Sequence, residues 1–261
     1  MKALLVDLDD TLLDYTGDVD RSWREACLAV AVPAGLDLEI MVKAVAQARR
    51  WFWDDPDRHR TERTNMVGAW RKIVAHGLAE IGAPNEQLAA EIVDDYAARR
   101  WKRMELFPEV HETLGRLRQR GVPLALVTNG DRGQQRRKIE QFDLARFFDV
   151  ILIEGEFGVG KPDDRVYRHV LEALGISAAE AWMVGDNLEW DVIAPQRLGL
   201  RGVWIDASGQ GLPEPTQSRP DFVLRAFTEI LGVVVAGEDA VGIPRATQSR
   251  RGRLRDTNSP V

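Results

Sequence analysis

Cysteine is nearly absent: Cys27 is the single one in 261 residues. No intramolecular disulfide can form, and a cysteine-rich zinc site is excluded. Histidine is scarce too. His59, His76, His111 and His169 show no ligand pairing such as H-E-x-x-H, so they read as surface or core residues. Long apolar runs are missing. The opening Leu4-Leu5-Val6 run ends in acids and is too short for a signal peptide, and Ile230–Ala236 is too short to cross a bilayer. The expectation is a cytoplasmic protein with no membrane partner. A surplus of positive charge is missing as well. The formal net charge of −6 argues against nucleic acid as a partner. It leaves room for a small phosphate ester, because a pocket with its own cation overrides net charge. Nothing in the sequence sets the oligomeric state.

What is present begins with Lys2-Ala3-Leu4-Leu5-Val6-Asp7-Leu8-Asp9-Asp10-Thr11-Leu12. The apolar half reads as a buried strand of a parallel sheet, and the acids fall at its C-terminal end, where open α/β sheets keep their ligands. Side chains two apart share a face of a strand, so Asp7 and Asp9 would crowd each other if the strand continued. Such a pair needs a cation between the carboxylates, or a proton on one of them.

From about Tyr15 to Phe107 no convincing strand is read. Helical spacing appears near Arg21–Val32, Leu38–Trp53, Asn65–Ile81 and Gln87–Met104, with breaks at Asp54–Asp57 and Gly82–Pro84. Strands then alternate with helices. Val122–Thr128, Val150–Glu154, Ala181–Val184, Gly202–Ile205 and Asp221–Leu224 read as strands, with helices at Gln134–Phe142, Asp164–Leu174 and Val192–Leu198. That alternation means βαβ units and a parallel sheet. The first strand needs this sheet as partner, so the helical block is an insertion. The expected division is an α/β core of 1–14 and 106–235, a helical domain of 15–105, and a disordered Arg/Gly/Ser/Pro-rich tail of 236–261.

Four features fall on one edge of the expected sheet: Asp7 with Asp9, Thr128-Asn129-Gly130, Lys161-Pro162, and Gly185-Asp186 with Asp191. Each alone has a plain structural reading as a turn, a solvated charge or a helix cap. Bland causes would scatter them over both edges. Together they describe a phosphoryl site. Asp7 and Asp186 suit a hard divalent cation such as Mg²⁺, and Lys161 adds a second positive charge. The Thr128 hydroxyl and backbone N–H groups around Asn129 suit phosphoryl oxygens. One aspartate can act as nucleophile, and a second carboxyl two residues on can protonate the leaving alcohol and then activate water. Gly155–Pro162 almost spells a P-loop, but Pro162 lacks both the hydroxyl and the N–H that such a loop needs.

The set Asp7-Leu8-Asp9-Asp10-Thr11-Leu12, Val127-Thr128-Asn129-Gly130, Lys161-Pro162 and Gly185-Asp186-Asn187-Leu188-Glu189-Trp190-Asp191 resembles the haloacid-dehalogenase-like hydrolase superfamily. Within it, the chain is similar to the branch of pyrimidine 5′-nucleotidases and N-acylneuraminate-9-phosphatases. The resemblance implies a Rossmann-like core with a C1-type cap, and a Mg²⁺-dependent phosphatase working through an aspartyl-phosphate. Asp7 would be nucleophile and metal ligand. Asp9 would be the acid/base, carrying the proton, with its backbone carbonyl on the metal. Thr128 and Lys161 would bind the phosphoryl group, with Asp10 and Asn129 as further substrate-binding positions. Asp186 would be a metal ligand. Asp191 would orient Lys161 or hold a metal-bound water. Leu12–Asp18 would be a mobile flap. A phosphomutase, a haloacid dehalogenase and a catalytically silent scaffold are the rivals, and the second acid, Asp9, argues for phosphate esters over dehalogenation. Substrate choice would come from the cap. There Trp51 and Trp53 end a helix just before the Asp54–Asp57 break and are the candidate substrate contacts.

Overall fold

The computed structural model describes residues 1–213 and 219–239. The chain opens with β1 (Ala3–Val6) and a short β2 (Leu13–Asp14). It then enters α1 (Val19–Ala26), α2 (Leu38–Trp53), α3 (Pro56–Glu62), α4 (Met66–Glu80) and α5 (Glu86–Arg103), and leaves through β3 (Glu105–Leu106). There follow α6 (Val110–Gln119), β4 (Leu124–Thr128), α7 (Arg132–Gln141), β5 (Val150–Ile153), α8 (Glu154–Phe157) and α9 (Asp164–Leu174). Then come β6 (Ala181–Gly185), α10 (Ala194–Arg197), β7 (Arg201–Ile205), β8 (Phe222–Leu224) and α11 (Ile230–Asp239).

The main sheet is parallel, in the order β5-β4-β1-β6-β7-β8. From β1 the chain works outward through β4 to β5, then crosses to the other side of β1 for β6, β7 and β8. The reversal puts a crevice at the C-terminal ends of β1, β4 and β6, where such sheets bind ligands. β1 is buried along its whole length, because it has a paired strand on each edge and helices on both faces. Its side chains alternate between two apolar clusters. Leu4 and Val6 pack with Leu114 and Leu117 of α6, Ile139 of α7 and Ile230 of α11. Leu5 packs with Val166, Tyr167 and Val170 of α9 and Ala194 of α10.

The inserted helices bury a third cluster of their own, in which Trp23, Met41, Val45, Phe52, Ile73, Leu78, Ile92 and Tyr96 meet. The two chain crossings between this block and the sheet lie side by side, because β2 pairs antiparallel with β3 through Leu13↔Leu106 and Asp14↔Glu105.

Several elements differ from the sequence reading. The Asp54–Asp57 break holds α3: Asp55 accepts the N–H of Arg58 and Pro56 occupies the first turn, so the Asp-Pro pair that stops one helix starts the next. α6 has no counterpart among the expected elements, and the β2–β3 ribbon is too short to show a period of two. Gly155–Gly160 is not a plain loop, since α8 begins at Glu154. Residues 236–239, placed in the disordered tail, continue α11. The rest of that tail, 240–261, lies outside the described residues.

Candidate active site

β1 delivers Asp7 to the crevice. The chain then turns sharply: the Leu8 carbonyl accepts the N–H groups of Leu12 and Leu13, and Asp10 sits at φ 57°. A short polar residue tolerates that left-handed backbone, which a β-branched one would not. Because of the turn, Asp7 and Asp9 do not continue along one strand face. They diverge into two different surroundings.

The Asp7 surroundings are acidic and buried. Lys161 Nζ lies 2.7 Å from Asp7 Oδ1 and 2.6 Å from Asp191 Oδ1. Lys161 and Asp191 are each 1% exposed, so this is a dry ion-pair triad. Thr11 Oγ1 donates to Asp7 Oδ2 at 3.1 Å, and the Asn187 N–H donates to Asp191 Oδ2 at 3.1 Å. Asp186, just past β6, completes a group in which carboxylate oxygens of Asp7, Asp186 and Asp191 lie within 4.8 Å of one another. Gly185 makes that approach feasible, since a Cβ there would stand 2.3 Å from Asp191 Oδ2.

Three carboxylates crowd around one ammonium, and burial makes their mutual repulsion costly. Burial, then the charges of Asp7 and Asp191, push Asp186 up to about 8. Burial also pushes Asp191 up, to about 7, with Lys161 opposing and Asp7 adding to it. Burial works against the Lys161 ammonium, but Asp191 and Asp7 outweigh it and hold that ammonium above its ordinary value. A raised Asp191 and a strengthened Lys161 pull in opposite senses. The contacts decide between them: Asp191 has an ammonium and an N–H donor, whereas the Asp186 carboxylate has no donor among the described residues. Asp186 therefore takes the proton when no cation is bound.

Asp9 sits elsewhere. Its carboxylate is not one of the acidic trio; Lys138 Nζ lies 2.8 Å from each of its oxygens, and Gln135 Nε2 donates to it at 3.0 Å. So the residue expected to carry a lone proton stands in an ion pair. Burial lowers the Lys138 ammonium from its ordinary value, with Asp9 opposing. Gln135 also donates to Thr128 Oγ1 at 2.6 Å and to the Asn129 carbonyl at 2.9 Å, tying α7 to the end of β4.

Asn129 and Asp10, two expected substrate contacts, line the cavity and also brace the scaffold. The Asn129 side chain pairs with the Lys161 backbone in both directions at 2.8 Å, and the Gly130 N–H donates to Glu154. The Asp10 carboxylate accepts from the Tyr15 and Thr16 N–H groups and from the Thr16 hydroxyl. Within Leu12–Asp18, the segment expected to be a loose flap, the start is thus pinned by Asp10 and by the β2–β3 ribbon.

A cavity of about 490 Å³ lies over these groups. Its floor includes Asp7, Asp9, Thr128, Lys161 and Asp186, and its roof comes from the helical block: Trp53, His59, Arg63, Arg49 and Trp23. Trp51 is not there. It is 45% exposed and stacks on His76, with ring centroids 3.8 Å apart, and the Arg58 guanidinium lies 4.0 Å from its ring. Arg63 crosses from roof to floor. Its guanidinium makes two bonds to Glu154 Oε1, at 2.9 and 2.6 Å, and one to the Lys161 carbonyl at 3.3 Å. Sequence reasoning missed Gln135 and Lys138 and did not separate Arg63 from its neighbours.

The family model for haloacid dehalogenase-like hydrolases matches residues 1–199. This chain belongs to that family. It is 34% identical over 249 residues to the phosphoserine phosphatase of Thermus thermophilus, covering 88% of this chain and 98% of that one. It is 36% identical over 235 residues to the N-acylneuraminate-9-phosphatase of Rattus norvegicus, covering 88% and 92%. Among solved structures, a hydrolase of the family from Bacillus subtilis bound to magnesium superposes with a TM-score of 0.70 at 22% identity, over 89% of this chain and 98% of that one. The Rossmann-like fold expected from the motifs is therefore shared, as is the likeness to the N-acylneuraminate-9-phosphatases. No helix among the described residues is long and apolar enough to cross a membrane.

Proposed function

We propose that this protein is a Mg²⁺-dependent phosphomonoester hydrolase acting on a small phosphorylated metabolite through an aspartyl-phosphate. The observation that carries the reading is the arrangement of Asp7. It shares a buried ammonium with Asp191 and an acidic trio with Asp186, and it faces a roofed cavity that also takes in Asp9. The trio fits a hard divalent ion, because it offers only carboxylate oxygens and carries more negative charge than Lys161 offsets. Mg²⁺ held by Asp7 and Asp186, with Asp191 behind them, would screen a phosphoryl group from an anionic nucleophile.

A carboxylate oxygen of Asp7 attacks phosphorus, and the bond from phosphorus to the ester oxygen breaks. The ester oxygen leaves as an alcohol with a proton from the Asp9–Lys138 pair, handed over by the Asp9 carboxyl. Water then attacks phosphorus, Asp9 takes a proton from that water, and the bond to Asp7 breaks to release phosphate. Lys161 and the Thr128 hydroxyl balance the charge and orientation of the phosphoryl oxygens throughout. Residues 15–105 act as the cap and 1–14 with 106–235 as the core, a reading supported by the separate apolar cluster of the helices.

The cavity, with Trp53, Trp23 and Trp190 among its walls, favours a ring-bearing leaving group such as a sugar or nucleoside over a short chain. Proteins similar to this one act on phosphoserine, N-acylneuraminate 9-phosphate and glyceraldehyde 3-phosphate. The test is phosphate release from nucleotides, sugar phosphates, acyl-sugar phosphates and p-nitrophenyl phosphate, with Mg²⁺ and with chelator. Asp7→Asn is expected to abolish release. Undiminished release by that variant, or none by the wild type on any ester, would refute the reading.

A further inference from the structure

We infer that Gln135 and Lys138 are positioning residues that aim Asp9 at the leaving oxygen. The inference rests on the acid/base role proposed for Asp9 above.

Asp9 stands in a turn, next to a residue at φ 57°, with no helix or main-sheet pairing to fix its side chain. Its direction must therefore come from side-chain contacts. All those the structure gives are from one helix. Lys138 Nζ reaches both oxygens at 2.8 Å, and Gln135 Nε2, one turn earlier on α7, reaches Oδ2 at 3.0 Å. The same Gln135 amide holds Thr128 Oγ1 at 2.6 Å. One side chain thus registers the acid/base against a group expected to touch the phosphoryl oxygens. The Tyr15 ring centroid lies 4.0 Å from Lys138 Nζ, and the Tyr15 carbonyl accepts from Arg100 of α5. The clamp is thereby closed over by the chain that enters the helical block.

The plain alternative is an ion pair that merely fastens α7 to the first turn. Lys138 is 2% exposed, and a buried pair is seldom more stabilising than apolar residues of the same volume. The next residue, Ile139, already fastens α7 into the apolar cluster under β1. A fastening role leaves the two-oxygen grip on Asp9 unexplained, whereas an acid that must meet an oxygen within hydrogen-bond reach requires it.

The test compares kcat/KM for two esters with Mg²⁺: p-nitrophenyl phosphate, whose leaving group departs without a proton, and ribose 5-phosphate or the alkyl phosphate the wild type turns over fastest. This ratio reports steps up to departure of the leaving group, so the later attack of water does not enter. Lys138→Met is expected to lose about a hundredfold on the alkyl ester, in the range of general acid catalysis, and under about fivefold on the nitrophenyl ester. Lys138→Arg is expected to recover part of the alkyl activity. In an Asp9→Asn background, Lys138→Met should cost nothing further, because the lysine acts through Asp9. Equal losses on the two esters, or losses that multiply in the double variant, would overturn the inference. Should Lys138→Met fail to fold, Lys138→Gln removes the ammonium, leaves the Gln135–Thr128 bond in place and gives the same two-ester comparison. A wild type inactive on every ester would instead count against the proposed function.

Discussion

Arg63 is the residue whose removal should separate closing of the helical block from folding of the chain. Its guanidinium and the Glu154 carboxylate are 13% and 7% exposed, and two bonds at 2.9 and 2.6 Å join them. The other oxygen of Glu154 accepts the Gly130 N–H at 2.9 Å. Arg63 also lies over the Trp190 ring at 5.2 Å and donates to the Lys161 carbonyl. Arg63→Met keeps most of the volume and removes the charge. In a rigid core, stranding one half of a buried pair costs about 3–5 kcal/mol of stability. Here the protein has another response. The expected response is a swing of the helical block on the β2–β3 ribbon, which would let water reach Glu154. The closed arrangement then loses hydrogen bonds to a charged group, about 1.5–3 kcal/mol, which shifts closed against open by about tenfold to a hundredfold. The expected result is a larger radius of gyration by solution scattering and a raised KM, with a melting temperature within a few degrees of wild type. A strong fall in melting temperature with no change in scattering would show that the pair fastens a rigid body, and would refute the hinge.

Three further outcomes are expected. The Asp186 carboxyl is raised to about 8, so the cation-free fold holds a proton there that the unfolded chain does not. That stability is complete below the ordinary carboxylate range and is lost as pH rises through about 8; melting in chelator should fall from pH 5 to 8.5, and Mg²⁺ should restore it. A flat profile in chelator, unchanged in Asp186→Asn, would contradict the crowding. Gly185→Ala brings a Cβ to 2.3 Å from Asp191 Oδ2 and should shift the Lys161 triad, costing about a hundredfold in kcat/KM, the scale of a 1 Å misplacement; a variant as active as wild type would show that the triad tolerates displacement. Trp53→Ala should change KM across the substrate panel while Trp51→Ala should not, since Trp51 stacks on His76 away from the cavity.

Much of this was legible because strand ends are legible. Apolar runs of four or five residues, each stopped by Asp, Thr-Asn-Gly or Gly-Asp, gave both the parallel sheet and the edge where Asp7, Thr128, Lys161 and Asp186 meet. Other features depended on which face of a helix turns inward. Trp51 and Trp53 are two apart in α2, roughly 200° around the axis, so one helix could not aim both at a single cavity. That constraint was available in the sequence. α7 carries a subtler signal. In Arg-Gly-Gln-Gln-Arg-Arg-Lys-Ile-Glu-Gln only Ile139 is apolar. A helix covering a parallel sheet must bury more than one residue, and Gln135 and Lys138 share the Ile139 face by spacing. Charged residues on a helix are usually solvated, and that prior hid them. Asn129 and Asp10 line the cavity as their places in the motifs suggested, but no spacing rule shows that they also brace the Lys161 backbone and the Thr16 turn.

The two buried lysines explain why a cation would settle beside Asp7 rather than Asp9, although the acids are only two residues apart. Lys138 meets one carboxylate, and that pair is neutral. Lys161 meets two, Asp7 and Asp191, which leaves one negative charge over; with Asp186 beside them the surplus is two. A divalent ion cancels that surplus in full. At Asp9 the same ion would have to displace an ammonium already 2.8 Å from both oxygens. The divergence begins where β1 ends at Val6 and the chain turns on the Leu8 carbonyl, so the second acid meets α7 rather than the first. Had the strand run straight on, the two acids would share one face, and a divalent ion and the Lys138 ammonium would compete for one cluster of carboxylates.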